Sequence, residues 1–476
     1  MRRILLLALA GCLGIIGLTQ VDSPPSEPPD WGAIDITDPG SGASASPSAW
    51  YCPWIEAGDI VDSDVIIATV PDVDVGVTLL HPISNEVPGT VETNVVGPGA
   101  TAIATGDVLR VGESPGIVEI SNGPAAAVTM QYSDGFVSAD DCVASVPKVW
   151  YLAGGSTKTG TITRLRLFNP FADNAEVTVT AYSEFGLDLI PELDGFDVEG
   201  RSWTTIDIEP YLPFRDELAF TVTTNTGLVI PALIRSDDRG EGVWRGTAPS
   251  DTWEFPIVTA GGLDPYIAVM SAGDDSIVVS VDIVGLDGTI RNAREVTVDS
   301  SSPALIPLSD LAAAPFGVRV NATSPVAAAA IALVPTGEGA DDLGGEPDAS
   351  TTTVAGDDTS TTVPEAFVKG LAGTGGSARR SAEWIVPLDT LPGSTTTIWI
   401  MNSGTEPATA SYAALGEDEY AAEETIDIPA ESIVGIDVEV GIGYYGYRIS
   451  ASLPVSVAWD IAGDRGVGLA PGIPLL

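Results

Sequence analysis

The residues of this chain that could do chemistry are one histidine, three cysteines and a large surplus of carboxylates. His81, in "LLHP", is the sole imidazole, so a Ser/His/Asp or Cys/His arrangement has only that position to form around. Zinc would lack its commonest nitrogen donor anywhere else. Neither a GxSxG elbow nor a phosphate-binding P-loop occurs; "GTGGSA" (Gly373 to Ala378) is Gly-rich but has no Lys to reach a phosphate. Neighbouring acids in "SADDC" (Ser138 to Cys142) and "GEDEYAAEE" (Gly416 to Glu424) are of the type glycoside hydrolysis uses, but among 66 acidic residues such neighbours arise regardless. "PDVDVG" (Pro71 to Gly76) and "AGDDS" (Ala272 to Ser276) offer oxygens to calcium without EF-hand spacing. No catalytic residue, metal ligand set or cofactor site is assigned on this basis.

Aromatic side chains are the other candidates. In "TIWIM" Trp399 faces opposite to Ile398 and Ile400, which makes it a possible platform for a sugar ring and the one candidate ligand contact. Tyr444, Tyr445 and Tyr447 crowd before the final strand, where Phe220 holds the place of Tyr447 in an earlier segment; packing is the expected role.

The elements that position these residues have a period of two. Leu165, Leu167, Val177 and Val179 point one way; Arg164, Arg166, Glu176 and Thr178 point the other. "GLDGT" (Gly285 to Thr289) marks a hairpin between two alternating runs. Long 3.6-residue periodicity is missing. Trp54, Trp150, Trp253 and Trp384 open successive units, and "NGPAAAVTMQ", "NTGLVIPALI", "TSPVAAAAIALV" and "SLPVSVAWDI" close them, each a turn before a small, β-branched run suited to a strand buried on both faces. Pro325 and its β-branched neighbours favour strand over helix in the Ala-rich third. "LLHP", "LFNP", "VMSA" and "IMNS" align after the first strand, which puts His81 in a slot filled elsewhere by Asn169, Ser271 and Asn402. All four suit a turn-bonding role. The same alignment makes Thr78, Arg166, Ala268 and Trp399 one column.

Outside the repeats, "MRR" precedes an apolar run from Ile4 to Leu18, the n- and h-regions of an export signal. "LAGC" (Leu9 to Cys12) has the form of a lipobox, with Cys12 as the lipidation site. Lipoprotein, uncleaved anchor and cleaved signal remain open. The Pro/Ser-rich stretch to Ser48 reads as a tether, and the Thr-rich, acidic stretch from Thr336 as a stalk or long loop. Export suits a disulfide between Cys52 and Cys142, with two buried thiols as the alternative. A formal charge of −46, from 66 acidic against 20 basic residues, repels phosphate backbones and excludes nucleic acid as a partner.

The apolar N-terminus, "YCPW" after a Pro-rich tether and the "LFNP…AEVTVTAYSEFG" repeats resemble an uncharacterised family of actinobacterial membrane-anchored or secreted envelope β-repeat proteins. That resemblance implies an anchored extracellular protein with no assigned activity.

The expected fold is therefore all-β: about four serial immunoglobulin-like β-sandwich units behind an N-terminal membrane anchor or signal. The divisions are 1–20 signal or anchor, 21–49 tether, 50–146, 147–248 and 249–335 the first three units, 336–382 linker or loop, and 383–476 the fourth. The expected function is a non-enzymatic extracytoplasmic scaffold or binding module. It would be held to the membrane through its N-terminus, or secreted, with an unidentified envelope protein or glycan as partner. A wall-acting hydrolase using an acidic pair is the alternative.

Overall fold

The computed structural model describes residues 48–475, apart from 58–60, 71, 82–88, 106–111, 134–135, 239, 260–261, 334–370, 417–421 and 439–443. The export-type run, Cys12 and the greater part of the tether and stalk lie outside the described residues. Within them no helix is long and apolar enough to cross a membrane.

Alternating burial produces sandwiches. In the second unit Val149–Gly155, Leu218–Thr226, Ala175–Ser183 and Gly186–Asp188 lie side by side in that order, and Ser202–Asp207, Thr161–Asn169, Ile230–Asp237 and Gly240–Arg245 form the facing sheet. In chain order, one sheet is strands one, six, three and four; the other is five, two, seven and eight. Leu165 and Leu167 of strand two meet Val177 and Val179 of strand three in the core between the sheets. The same order recurs from Ser48–Cys52 to Val137–Asp141, from Ser250–Phe255 to Ala372–Gly375, and from Ser381–Pro387 to Gly466–Pro471. In the last two units strands six and seven are one continuous strand, Phe316–Leu333 and Tyr444–Gly463, that passes from one sheet into the other. All four closing runs are strands, the Ala-rich one included: Ala328, Ala329 and Ala330 are buried against Val269, Ala268 and Ile267.

Pairing registers correct the alignment in the first unit. Trp150, Trp253 and Trp384 each pair with a buried residue of strand six; the first-unit counterpart is Trp50 opposite Val118, not Trp54. Strand two of that unit is Asp62–Thr69, so "LLHP" ends strand three. Thr69 occupies the place of Asn169, Ser271 and Asn402, and His81 stands with Ala181, Ile283 and Ala414 at a buried core position. The column of Trp399 begins with Ile66 rather than Thr78. Strand periodicity reveals which face a residue takes, not which strand of a repeat it belongs to, and "LLHP" imitates "LFNP" closely enough to displace the match by one strand.

The range 336–382 also contains strand. Ala372–Gly375 pairs with Ala329–Ala332 as the eighth strand of the third unit, so the Thr-rich insertion enters that unit before its last strand. Its glycines, which read as loop, let the backbone approach two rings: a Cβ on Gly373 would lie 2.3 Å from the Trp244 indole, and one on Gly376 2.6 Å from Phe255.

The units close on themselves instead of running out in a string. Ser138, Gly242, Ala372 and Gly468 hold one register position in the four eighth strands. Ser138 Oγ accepts the Val243 N–H at 3.1 Å; Gly242 lies against Leu371; Ala372 clusters with Val467 and Leu469; Gly468 lies against Val137. Small side chains at this position let four strands meet at one hub. The first and last units share one apolar core, in which Val65, Ile66 and Ala68 are continuous with Trp384, Ile449 and Trp459.

Candidate functional site

The outer face of strand two, where the sequence puts Trp399 as the one candidate ligand contact, forms the junction between units. Ala68 approaches Gly446 of the fourth unit; Arg166 meets the first unit; Ala268 packs in the second unit's core; Trp399 packs against the third. Trp399 is half-buried. Its indole N–H donates to Asp460 Oδ1 at 2.6 Å and its ring lies with Val284, Met401 and Ile433.

Charge concentrates at the junction of units one and two. The Arg166 guanidinium stacks 3.9 Å from the Trp54 ring centroid, bonds Glu113, and donates through Nε to Thr205 Oγ1 at 3.0 Å. It has no solvent exposure, and burial lowers it to about 10, so it stays a cation at neutral pH. Arg164 donates to Glu241 at 2.7 Å and Glu113 at 3.4 Å. Burial pushes Glu241 up to about 7 against the pull of Arg164, and raises Glu56 as well. Trp54 is fixed by exchange with Gln131: its N–H donates to Gln131 Oε1 at 3.0 Å and its carbonyl accepts from Gln131 Nε2 at 3.1 Å.

A carboxyl near 7 beside a second carboxylate is the pair that general acid and base chemistry would use. Both acids, Glu241 and Glu113, are held by Arg164, and the Glu241 side chain is nearly excluded from water. A separate small cavity beside Trp54, Gln131, Asp140 and Asp141 measures about 10 Å³, room for a single water, and neither glutamate lines it. Asp140 and Asp141 of "SADDC" are engaged by Arg245: the Arg245 N–H donates to Asp140 Oδ2 at 2.7 Å, and its guanidinium grips both oxygens of Asp141. Burial, then Asp141, hold Asp140 well above the usual carboxylate range. Glu254, 3% exposed, joins units three and four by accepting from Ser403 at 2.5 Å and from Ser456, with Arg319 and Arg380 nearby.

Other sequence candidates resolve into scaffold. His81 is fully buried; its Nδ1 lies 3.1 Å from the Pro115 carbonyl, and burial lowers it to about 4, so the ring is neutral and Nδ1–H donates. Asn169 and Asn402 bond their turns at both ends of the amide, and Ser271 does so through its hydroxyl. Tyr447 and Phe220 are equivalent core residues. Cys52 and Cys142 are bonded, with Cα atoms 4.5 Å apart. Among the described residues no group of three or more His, Cys, Asp or Glu is placed to hold a metal ion. Glu113, Glu241 and Glu254 escape the sequence reading because isolated acids in alternating runs look like solvent-facing positions.

Residues 120–353, just under half of the chain, match the family described as "Family of unknown function (DUF5719)". No curated protein matches the chain. Among solved structures, a tetra-tandem repeat from the extending region of a large adhesion protein aligns at 11% identity over 85% of this chain and 92% of its own, with a TM-score of 0.09. An α-L-rhamnosidase of Streptomyces avermitilis complexed with L-rhamnose aligns at 9% identity over 89% of this chain and 55% of its own, with a TM-score of 0.12. TM-scores this low carry no argument.

Proposed function

We propose that the chain is a non-enzymatic scaffold or binding module of the cell envelope, exported by its apolar N-terminus and either tethered there or released. The observation that carries this reading is where its reactive-looking side chains go. Arg166, Glu113, Glu241, Asp141, Arg245, Glu254 and Trp399 are all engaged where one unit meets the next. Side chains held this way make a rigid body, and a rigid β body presents its loops in fixed relation to one another, as a binding module requires.

The test is co-sedimentation of the detergent-extracted full chain with insoluble cell walls, alongside shaving of intact cells with protease and the intact mass of the extracted chain. Pelleting with walls, or cross-linking to one envelope protein, is the expected outcome, with the mass deciding whether Cys12 carries lipid. Release of soluble fragments from the walls, abolished by Glu241→Gln, would replace this reading with the hydrolase.

A further inference from the structure

The second unit presents large apolar side chains to solvent at one end. Phe185 is 76% exposed, Leu189 74% and Phe214 71%, with Leu187 beside them on the strand three to four hairpin. Two loops build the patch and are tied together. Glu184 accepts the N–H groups of Asp216 and Glu217 at 3.1 and 3.3 Å, while Arg215 bonds Asp188 at 3.3 Å and stacks 5.1 Å from the Phe185 ring. Phe214 is held at φ +58°, a conformation that disfavours aromatic residues. Its N–H donates to the Thr157 carbonyl and the next N–H to the Thr157 hydroxyl. Strain maintained to hold an aromatic ring in water points to a use for that ring.

The third unit has the same arrangement. Its hairpin carries Leu286 and Ile290, about half exposed, and with the loop Ala312 to Pro315 it borders an open groove of about 580 Å³. The corresponding loops of the other two units lie outside the described residues.

We propose that the Phe185–Phe214 patch is a docking surface for a cationic, amphipathic segment of a partner protein. Leu187 and Leu189 offer nothing to sugar hydroxyls, which sets a glycan aside. Glu184, Asp188, Asp216 and Glu217 outnumber Arg215 around the patch, and on a chain of net charge −46 this excess opposes a second copy and an anionic lipid surface, and attracts lysine and arginine. Apolar anchors inside a charged rim are the anatomy of a protein-binding patch. This inference rests on the reading of the chain as a binding module and names its partner class.

The probe is a fluorescein-labelled peptide of repeated Lys-Leu-Leu, followed by anisotropy against the full chain at about 0.3 M salt to screen the general surface. Saturable binding should weaken about tenfold or more with Phe185→Ser/Leu189→Ser and with Phe185→Glu. It should be unchanged with Ile162→Ser, an exposed residue elsewhere, and about tenfold weaker for the Glu-Leu-Leu peptide. Equal binding by the patch variants, with melting temperatures matching the parent, overturns the proposal. Patch-dependent binding of chito-oligosaccharide or neutral vesicles, or patch-dependent dimerisation, in place of peptide binding, would also overturn it. If wall co-sedimentation survives in variants that never bind peptide, this inference fails and the broader function stands.

Discussion

Arg245 of the second unit holds Asp141 of the first through Nε at 2.9 Å and Nη2 at 2.6 Å, in a place where both side chains are nearly excluded from water. Arg245→Met alone leaves Asp141 and Asp140 buried without their cation and should destabilise the chain by about 3–5 kcal/mol. Arg245→Met/Asp141→Leu should recover most of that loss, because the carboxylate the guanidinium held is then gone and Asp140 keeps the backbone N–H of residue 245. Denaturant melts of the parent, both single variants and the double variant measure this coupling.

The Cys52–Cys142 bond closes a loop spanning 90 residues of the first unit. Cys52→Ser/Cys142→Ser should lower stability by about 4 kcal/mol in the chain-entropy description. Melts of the double variant and of the reduced parent should agree; a loss below about 1 kcal/mol would mean that the shared core between the end units already restricts that loop.

Asp64 shows how the ring closes against its own charge. Burial pushes it up to about 6, the Tyr132 hydroxyl that donates to it pulls the other way, and Asp389 of the fourth unit and Asp62 raise it further. A raised carboxyl binds its proton more tightly folded than unfolded, so stability falls as pH rises from about 4 to about 6. Asp64→Asn should flatten that slope and stabilise the chain at pH 7 by about 1–2 kcal/mol, with no gain at pH 4. Melts across this range give the sign directly.

His81 supplies an opposing slope. Its value near 4 lies below the ordinary 6.5, so the unfolded chain binds the extra proton and stability is lost as pH falls from about 6.5 to about 4. As the sole histidine it needs no assignment: its ring carbon resonances should stay fixed between pH 8 and about 5.5. A midpoint near 6.5 would place the ring in water and refute the buried position.

At the hub, Gly373→Val would drive a side chain into the Trp244 ring, where even a Cβ has only 2.3 Å. Overpacking of this kind costs about 1–3 kcal/mol, more where the neighbour is backbone or a fixed ring. Small-angle scattering should show the parent as a closed body and the variant as expanded, with new protease cleavage between units two and three. A parent profile that already fits an extended string would remove the hub.

Much of this architecture is legible in the sequence because strand alternation leaves a strong imprint. Leu165 to Val179, the Gly285 hairpin and the four closing runs say sandwich, and Asn169 and Asn402 bond their turns as their type suggests. What the sequence hides is the contact between units. Outside the apolar core shared by the first and last units, many of the residues that meet are polar or small, such as Arg166, Ser138 and Gly242, and these look the same whether they face water or another unit. Trp399 illustrates this: alternation places its ring correctly on the outer face, and the third unit covers that face.

The common core of the first and last units has a consequence for synthesis. A chain made N-terminus first carries the buried face of Ile66 and Ala68 through the assembly of everything between, until Trp384 and the closing strands arrive. Contacts this distant along the chain form late, and the waiting surface is where an incompletely made molecule would stick to its neighbours.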